Sequence, residues 1–221
     1  RPTKPFLLPP RHADNRRVFS YLRGRGIDPE IINHCIKHGL LYESEQYHNC
    51  VFVGFAGDKP AYAMQRGTLQ DKRFVGEGVG SDKRYSFSLS GSGETLYVFE
   101  SAIDCLSFIE LQRMKTDELK PDNYLSLSGV YRPGEGRHSE LPAALQEYLS
   151  ANDSIRHIAL CLDNDEAGRS AALAICAALP DKYTAELLPP QSGKDYNELL
   201  MLTKGIPPNI RVRKPKERRE R

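Results

Sequence analysis

The chain has no long apolar run, so nothing in it reads as a membrane span. Its opening segment, RPTKPFLLPPRHADNRR, lacks the layout of a secretory signal. Paired cysteines are missing as well. Cys35, Cys50, Cys105, Cys161 and Cys176 stand singly and are odd in number, with no C-x-x-C spacing, which argues against a disulfide framework or a zinc finger. Free cysteine behaves as a small hydrophobe, so reduced, buried thiols are expected. His34, Cys35 and His38 have ligand-like spacing but share one predicted helix without further partners, and a structural role is expected of them. There is no internal repeat. The first residue is not methionine, which suggests a piece of something longer.

What is present is an ordinary globular composition: 39% hydrophobic and 27% charged over 221 residues, enough for one or two domains. The net charge of +2 conceals an asymmetry. Residues 205–221 carry seven Lys or Arg against Glu217 and Glu220, so this tail is +5 and the rest −3. Such a tail can hold phosphates loosely or serve as a solvated linker.

After a Pro-rich start, Asp14 is placed to cap a helix through Arg17, Val18, Tyr21 and Leu22. Gly24-Arg25-Gly26 breaks it. Asp28-Pro29-Glu30 starts a second helix, with proline at the first helical position, and Gly39 ends it. Cys50–Phe55 and Ala61–Gly67 read as a hairpin, with Lys72–Val75 as a third strand. The Gly- and Ser-rich segment from Gly76 to Gly93, carrying Lys83 and Arg84, reads as a polar loop between two subdomains. From Glu94 strands alternate with helices: strands at 95–99, 124–127, 155–162 and 183–188, helices at 102–114, 141–149, 168–179 and 195–202. That alternation predicts an α/β domain, a mainly parallel sheet with helices on both faces, preceded by a smaller α+β subdomain.

Ligands of such sheets sit beyond the carboxyl ends of the strands. Glu100 ends the first strand, with Asp104 one helical turn on. Ser128-Gly129 follows the second, Asp163-Asn164-Asp165 the third, and Gly193-Lys194-Asp195 the fourth. Five carboxylates on one edge raise one another's pKa values unless cations bind. An all-oxygen donor set suits Mg²⁺ (or Mn²⁺). Ser128 and Gly129 would let a backbone come close to a phosphate.

A Glu closing the first strand, Tyr97-Val98-Phe99-Glu100, and a later D-x-D-x-x-G, Asp163-Asn164-Asp165-Glu166-Ala167-Gly168, resemble the TOPRIM pattern. Primases, topoisomerases, some nucleases and recombination proteins share it. Within that superfamily the chain is most similar to bacterial and phage or plasmid-type primases. Asp104 matches the acid four residues after their Glu, Ala167-Gly168-Arg169 matches the continuation of their D-x-D, and Gly193-Lys194-Asp195-Tyr196-Asn197-Glu198 resembles their last motif. The likeness covers residues 94–200. Tyr21-Leu22-Arg23-Gly24-Arg25-Gly26-Ile27 resembles the helical segment that precedes a primase core.

The resemblance implies a TOPRIM domain at 94–204, a nucleic-acid-contacting N-terminal subdomain at 1–93 and a basic tail or linker at 205–221. It implies that Glu100 is a metal ligand or general acid/base, that Asp163 and Asp165 hold Mg²⁺, and that Asp104 and Asp195 complete the site. Lys194, Arg169, Arg66, Lys72, Arg73, Lys83 and Arg84 would contact phosphates. The implied activity is primase-like nucleotidyl transfer on single-stranded DNA, in replication or mobilisation of a plasmid, phage or conjugative element in a bacterial cytoplasm. The implied partners are single-stranded DNA, nucleotides, and a helicase, relaxase or upstream zinc-binding module. Two alternatives stay open: a TOPRIM nuclease cleaving phosphodiesters, and a non-catalytic DNA-binding module of a mobile-element protein. A topoisomerase would need a nucleophilic tyrosine, and neither Tyr131 nor Tyr196 stands in such a context.

Overall fold

The computed structural model describes residues 5–69, 74–116, 121–129 and 140–207. Asn15, and not Asp14, precedes helix α1 (Arg16–Arg23). Asp14 still serves the helix start, because its carboxylate accepts from the Arg16 N–H at 3.0 Å from two residues away. Helix α2 (Pro29–Lys37) begins as expected, with Asp28 accepting from the Glu30 N–H at 2.8 Å. Gly39, at φ 72°, turns the chain out of it.

Four antiparallel strands follow in sequence order: β1 (Leu41–Glu43), β2 (Cys50–Ala56), β3 (Lys59–Arg66) and β4 (Val75–Glu77). The β2–β3 hairpin matches the sequence reading. Strand β1 does not, since three residues are too short for alternation to show. The expected third strand is met at its end by β4, while Lys72 and Arg73 lie outside the described residues.

The polar segment 76–93 is more structured than its composition suggests. It holds a 3-10 turn (Lys83–Tyr85) and β5 (Ser88–Leu89). A two-residue strand in a Gly/Ser-rich stretch carries no periodic signal. The second sheet has the order β5-β7-β6-β8-β9, where β6 is Thr95–Phe99, β7 Asn123–Ser126, β8 His157–Leu160 and β9 Thr184–Leu187. β6 to β9 are parallel, and β5 joins β7 antiparallel at one edge.

Side-chain alternation along β6 sorts the core into two layers. Tyr97 and Phe99 pack with helices α3 (Ala102–Thr116) and α6 (Tyr196–Thr203). Leu96 and Val98 pack with α4 (Ala143–Ala151) and α5 (Glu166–Ala178). The mixed α/β architecture with helices on both faces of a mainly parallel sheet is therefore as expected. Helix α3 is buried continuously from Ala102 to Glu110. The reason lies in the N-terminal half, whose Val18, Leu22, Ile32 and Phe52 join one apolar cluster with Cys105, Leu106 and Phe108. A helix sandwiched on two sides has no face left for water, and the two halves share this core.

All five cysteines are free, four of them buried. The rings of His34 on α2 and of His38 just beyond it meet at a tilt, 4.2 Å between centroids. Among the described residues, no helix is long and apolar enough to cross a membrane.

Candidate functional site

The carboxyl ends of β6, β7 and β8 are laced together by the backbone. The Gly129 N–H donates to the Glu100 carbonyl at 2.9 Å. The Asp163 N–H donates to Glu100 Oε1 at 3.3 Å, and the Asn164 N–H to the Lys194 carbonyl at 2.7 Å. Four separate loops are thereby fixed at one edge. Ser128 sits at φ 54°, an uncommon backbone for a side-chain-bearing residue, and its hydroxyl lies 2.5 Å from that of Ser86.

Two of the acids also build the helices that follow them. Asp165 accepts from the Gly168 N–H at 2.9 Å and caps α5. Asp195 accepts from the Glu198 N–H at 2.7 Å and caps α6. Gly168 is required where it stands, because a Cβ there would lie 2.1 Å from the Asp163 carbonyl oxygen. The D-x-D-x-x-G spacing thus lets α5 press onto the loop that carries its carboxylates.

Glu100, Asp104, Asp163, Asp195, Lys194, Ser128 and Gly129 line one cavity of about 270 Å³. Arg66 lines it from the end of β3 and Arg25 from the turn between α1 and α2, both in the N-terminal half, and Asn197 lines it from α6. Asp165 is not among the residues that line it, but the Lys194 ammonium bridges Asp165 and Asp163 at 3.2 and 3.3 Å. Arg169 lies on the outer side of α5 and braces the loop, donating to the Asn164 carbonyl and side chain at 3.1 Å each. Lys83 pairs with Glu77 at 2.9 Å, and Arg84 with Asp82 at 2.6 Å. Arg84 lines a different cavity, beside Tyr148 and Asn152. Arg25 and Asn197 received no role in the sequence reading. Gly24-Arg25-Gly26 registers there as a helix break, and only folding turns the guanidinium into the cavity.

The acids are short of positive charge. Burial, then the Asp163 charge, pushes Glu100 up to about 7. Burial and the facing Asp195 raise Asp104, and burial raises Asp163 against the pull of Lys194. Asp165 moves the other way, held down first by the Gly168 N–H. Lys194 is raised by its bond to Asp165. A site in which several oxygen donors resist ionisation fits a hard divalent cation. Among the described residues no three of these carboxylates bring oxygens within 4.8 Å of one another.

The edge of the parallel sheet thus carries Glu100 after one strand and Asp163-Asn164-Asp165 after its neighbour. Residues 97–200 match the family described as Toprim-like, and the fold of the chain resembles that of DNA primase catalytic cores. Residues 20–93 match a second family, described as "Protein of unknown function (DUF3991)". The chain is similar to a "65 kDa protein" of Zymomonas mobilis, 29% identical over 99% of this chain. It spans 36% of that relative's length. The primase fragment of the bacteriophage T7 primase-helicase superposes with a TM-score of 0.55 at 24% identity, over 85% of this chain and 70% of that one. A T7 structure of lagging-strand DNA polymerase with primase domains bound to an RNA/DNA hybrid and dTTP gives 0.54 at 26%, over 83% and 84%. The Escherichia coli primase catalytic core gives 0.53 at 13%, over 87% and 70%.

Proposed function

We propose that this chain is the core of a primase-like nucleotidyltransferase that uses Mg²⁺ to join nucleotides on single-stranded DNA. One observation carries the reading. Glu100, Asp104 and Asp163 from the TOPRIM half and Arg25 and Arg66 from the N-terminal half line the same cavity. Acids for a metal and bases for phosphates thus meet where the two halves join. Glu100, Asp163 and Asp165 would hold the ion, with Asp104 and Asp195 in support. When bound, Mg²⁺ would polarise phosphoryl oxygens and ease ionisation of an attacking 3′-hydroxyl.

The chain's own residues do the rest. Arg25, Arg66 and Lys194 hold the triphosphate, and the Ser128-Gly129 turn gives it room against the backbone. Glu100 would serve either as a ligand of the ion or as the group that accepts the hydroxyl proton. Lys72, Arg73 and the basic residues of 205–221, all outside the described residues, would track the template strand, joined by Lys83 and Arg84 where the template displaces their acidic partners. Residues 1–93 are then the template-contacting subdomain, 94–204 the TOPRIM domain and 205–221 a basic linker. The setting would be replication or mobilisation of a plasmid, phage or conjugative element in a bacterial cytoplasm, with a helicase, relaxase or zinc-binding module as partner.

The test is template-dependent incorporation of labelled ribonucleotides by the whole protein, flanking modules included, with Mg²⁺ and single-stranded DNA. Short oligomers are expected from wild type, and Asp163→Asn with Asp165→Asn should abolish them. Absence of synthesis by intact protein across varied templates overturns the proposal. Template cleavage in its place would assign the same acids to a nuclease.

A further inference from the structure

A second group of ligating side chains lies in the N-terminal half, built from residues far apart in sequence. His12 runs beside β1, its N–H donating to the Glu43 carbonyl at 2.8 Å. Glu43 ends β1, and its side chain is 2% exposed. His48 projects from the β1–β2 turn, where it and Tyr47 both take positive φ, 52° and 65°. Such backbone is uncommon for residues with side chains and concentrates where geometry is imposed for a purpose. The two imidazoles meet edge to face, 4.7 Å between centroids.

The division of labour on Glu43 is what singles this cluster out. One oxygen, Oε2, accepts from the Arg17 and Val18 N–H groups at 2.9 and 3.2 Å and so serves the start of α1. The other, Oε1, faces both imidazoles: 2.5 Å from His48 Nδ1 and 3.8 Å from His12 Nδ1. The second distance is beyond a hydrogen bond. His12 Nδ1 also lies 3.2 Å from the Asp14 N–H and carbonyl, and 3.7 Å from the Asp14 carboxylate. A metal ion would take over that nitrogen or use Nε2. Among the described residues this is the one trio of His, Cys, Asp or Glu whose ligating atoms fall within 4.8 Å of one another.

We propose that His12, Glu43 and His48 form a Zn²⁺ site. Two imidazoles and one carboxylate oxygen make a borderline donor set that favours Zn²⁺ over Mg²⁺ or Ca²⁺. With both histidine side chains about one-third exposed, solvent supplies the fourth ligand. The ion ties the arm before α1, the first turn of α1, the end of β1 and the β1–β2 turn into one unit. It also reaches the chain leaving β3, because the Thr68 hydroxyl donates to the His48 carbonyl at 3.0 Å. The site is independent of the acidic cavity.

The purified chain, stripped with a chelator, is dialysed against Zn²⁺ in excess Mg²⁺, and bound zinc is counted by elemental mass spectrometry. About one zinc per chain is expected. His12→Gln and His48→Asn should each lose it, asparagine being chosen because it tolerates the left-handed backbone. Asp163→Asn/Asp165→Asn should keep it. Failure of wild type to retain zinc, or equal retention by the histidine variants, overturns the proposal. Should either variant unfold by circular dichroism, the imidazole nitrogen resonances of wild type decide. Two of the six histidines moving to metal-bound positions on Zn²⁺ addition supports the site, and none moving overturns it.

Discussion

Asn197 grips Arg25 at both ends across 172 residues of chain. Its Nδ2 donates to the Arg25 carbonyl at 3.0 Å, and its Oδ1 accepts from the Arg25 guanidinium. The same residue donates its main-chain N–H to Asp104 Oδ1 at 3.1 Å and its side-chain amide to the Ser107 hydroxyl at 2.9 Å. The N-terminal half, helix α3 and the acidic cavity are thus keyed together at one buried side chain. Arg25 is held further by lying over the Tyr21 ring, 5.0 Å from its centroid.

Asn197→Ala therefore removes several bonds at once and leaves the Arg25 carbonyl and guanidinium to find new partners, while the Ser107 hydroxyl keeps its bond to the Ile103 carbonyl. Each orphaned buried group costs about 1–3 kcal/mol. A loss of about 2–4 kcal/mol in urea unfolding is the expected result. A change below about 0.5 kcal/mol would show that water replaces the amide.

Glu100 gives a pH-dependent outcome whose sign is fixed. Folding raises its pKa from 4.5 to about 7, so its contribution is full below 4.5 and is lost as pH climbs through 7. Glutamine at this position carries no such penalty. Without divalent ions, Glu100→Gln should be more stable than wild type at pH 8, by about 1–3 kcal/mol. The difference should vanish near pH 4. Adding Mg²⁺ at pH 8 should stabilise wild type more than the variant. Unfolding curves at both pH values, with chelator and with Mg²⁺, measure all of this.

The same residues show what the chain discloses before it folds. Glu100, Asp163 and Asp165 were legible because an apolar strand ending in an acid is a local signal, and four strands alternating with helices place their ends on one edge. Asp104 was legible as one helical turn beyond Glu100. Arg25 was not, because its partner Asn197 lies at the far end of the chain and only the shared core brings them together. Strands β1 and β5 were too short for periodicity to register. Lys83 and Arg84 looked like free basic residues, yet Asp82 and Glu77 engage them. Pairing of surface charges is a tertiary event that composition does not encode. The His12–Glu43–His48 trio was hidden for the same reason, whereas the histidines with ligand-like spacing, His34 and His38, belong to no such trio among the described residues.

Gly168→Ala tests how tightly α5 is pressed onto the Asp163–Asp165 loop. The added methyl would lie 2.1 Å from the Asp163 carbonyl oxygen, and both are main-chain positions that cannot step aside singly. Helix α5 must retreat, taking the Asp165 cap with it. A loss of about 2–4 kcal/mol is expected from such overpacking. Mg²⁺ affinity should weaken in parallel, as read by the Mg²⁺-dependent shift in melting temperature. Unchanged stability would mean that the helix start is free to move.

Lys194 separates metal binding from phosphate binding. Its ammonium sits between Asp163 and Asp165, where a divalent ion would compete with it, and its side chain is 57% exposed. Solvent-screened pairs of this kind are worth about 0.2–1 kcal/mol each. Lys194→Ala should therefore bind Mg²⁺ about threefold to tenfold more tightly, since the ion no longer displaces a resident cation. Nucleotide binding should move the opposite way, because the triphosphate loses its contact from the loop before α6. Titration of Mg²⁺ against the free protein, set beside the nucleotide KM in the synthesis assay, reads the two effects independently. If both weaken together, Lys194 shapes the loop rather than occupying the cation position.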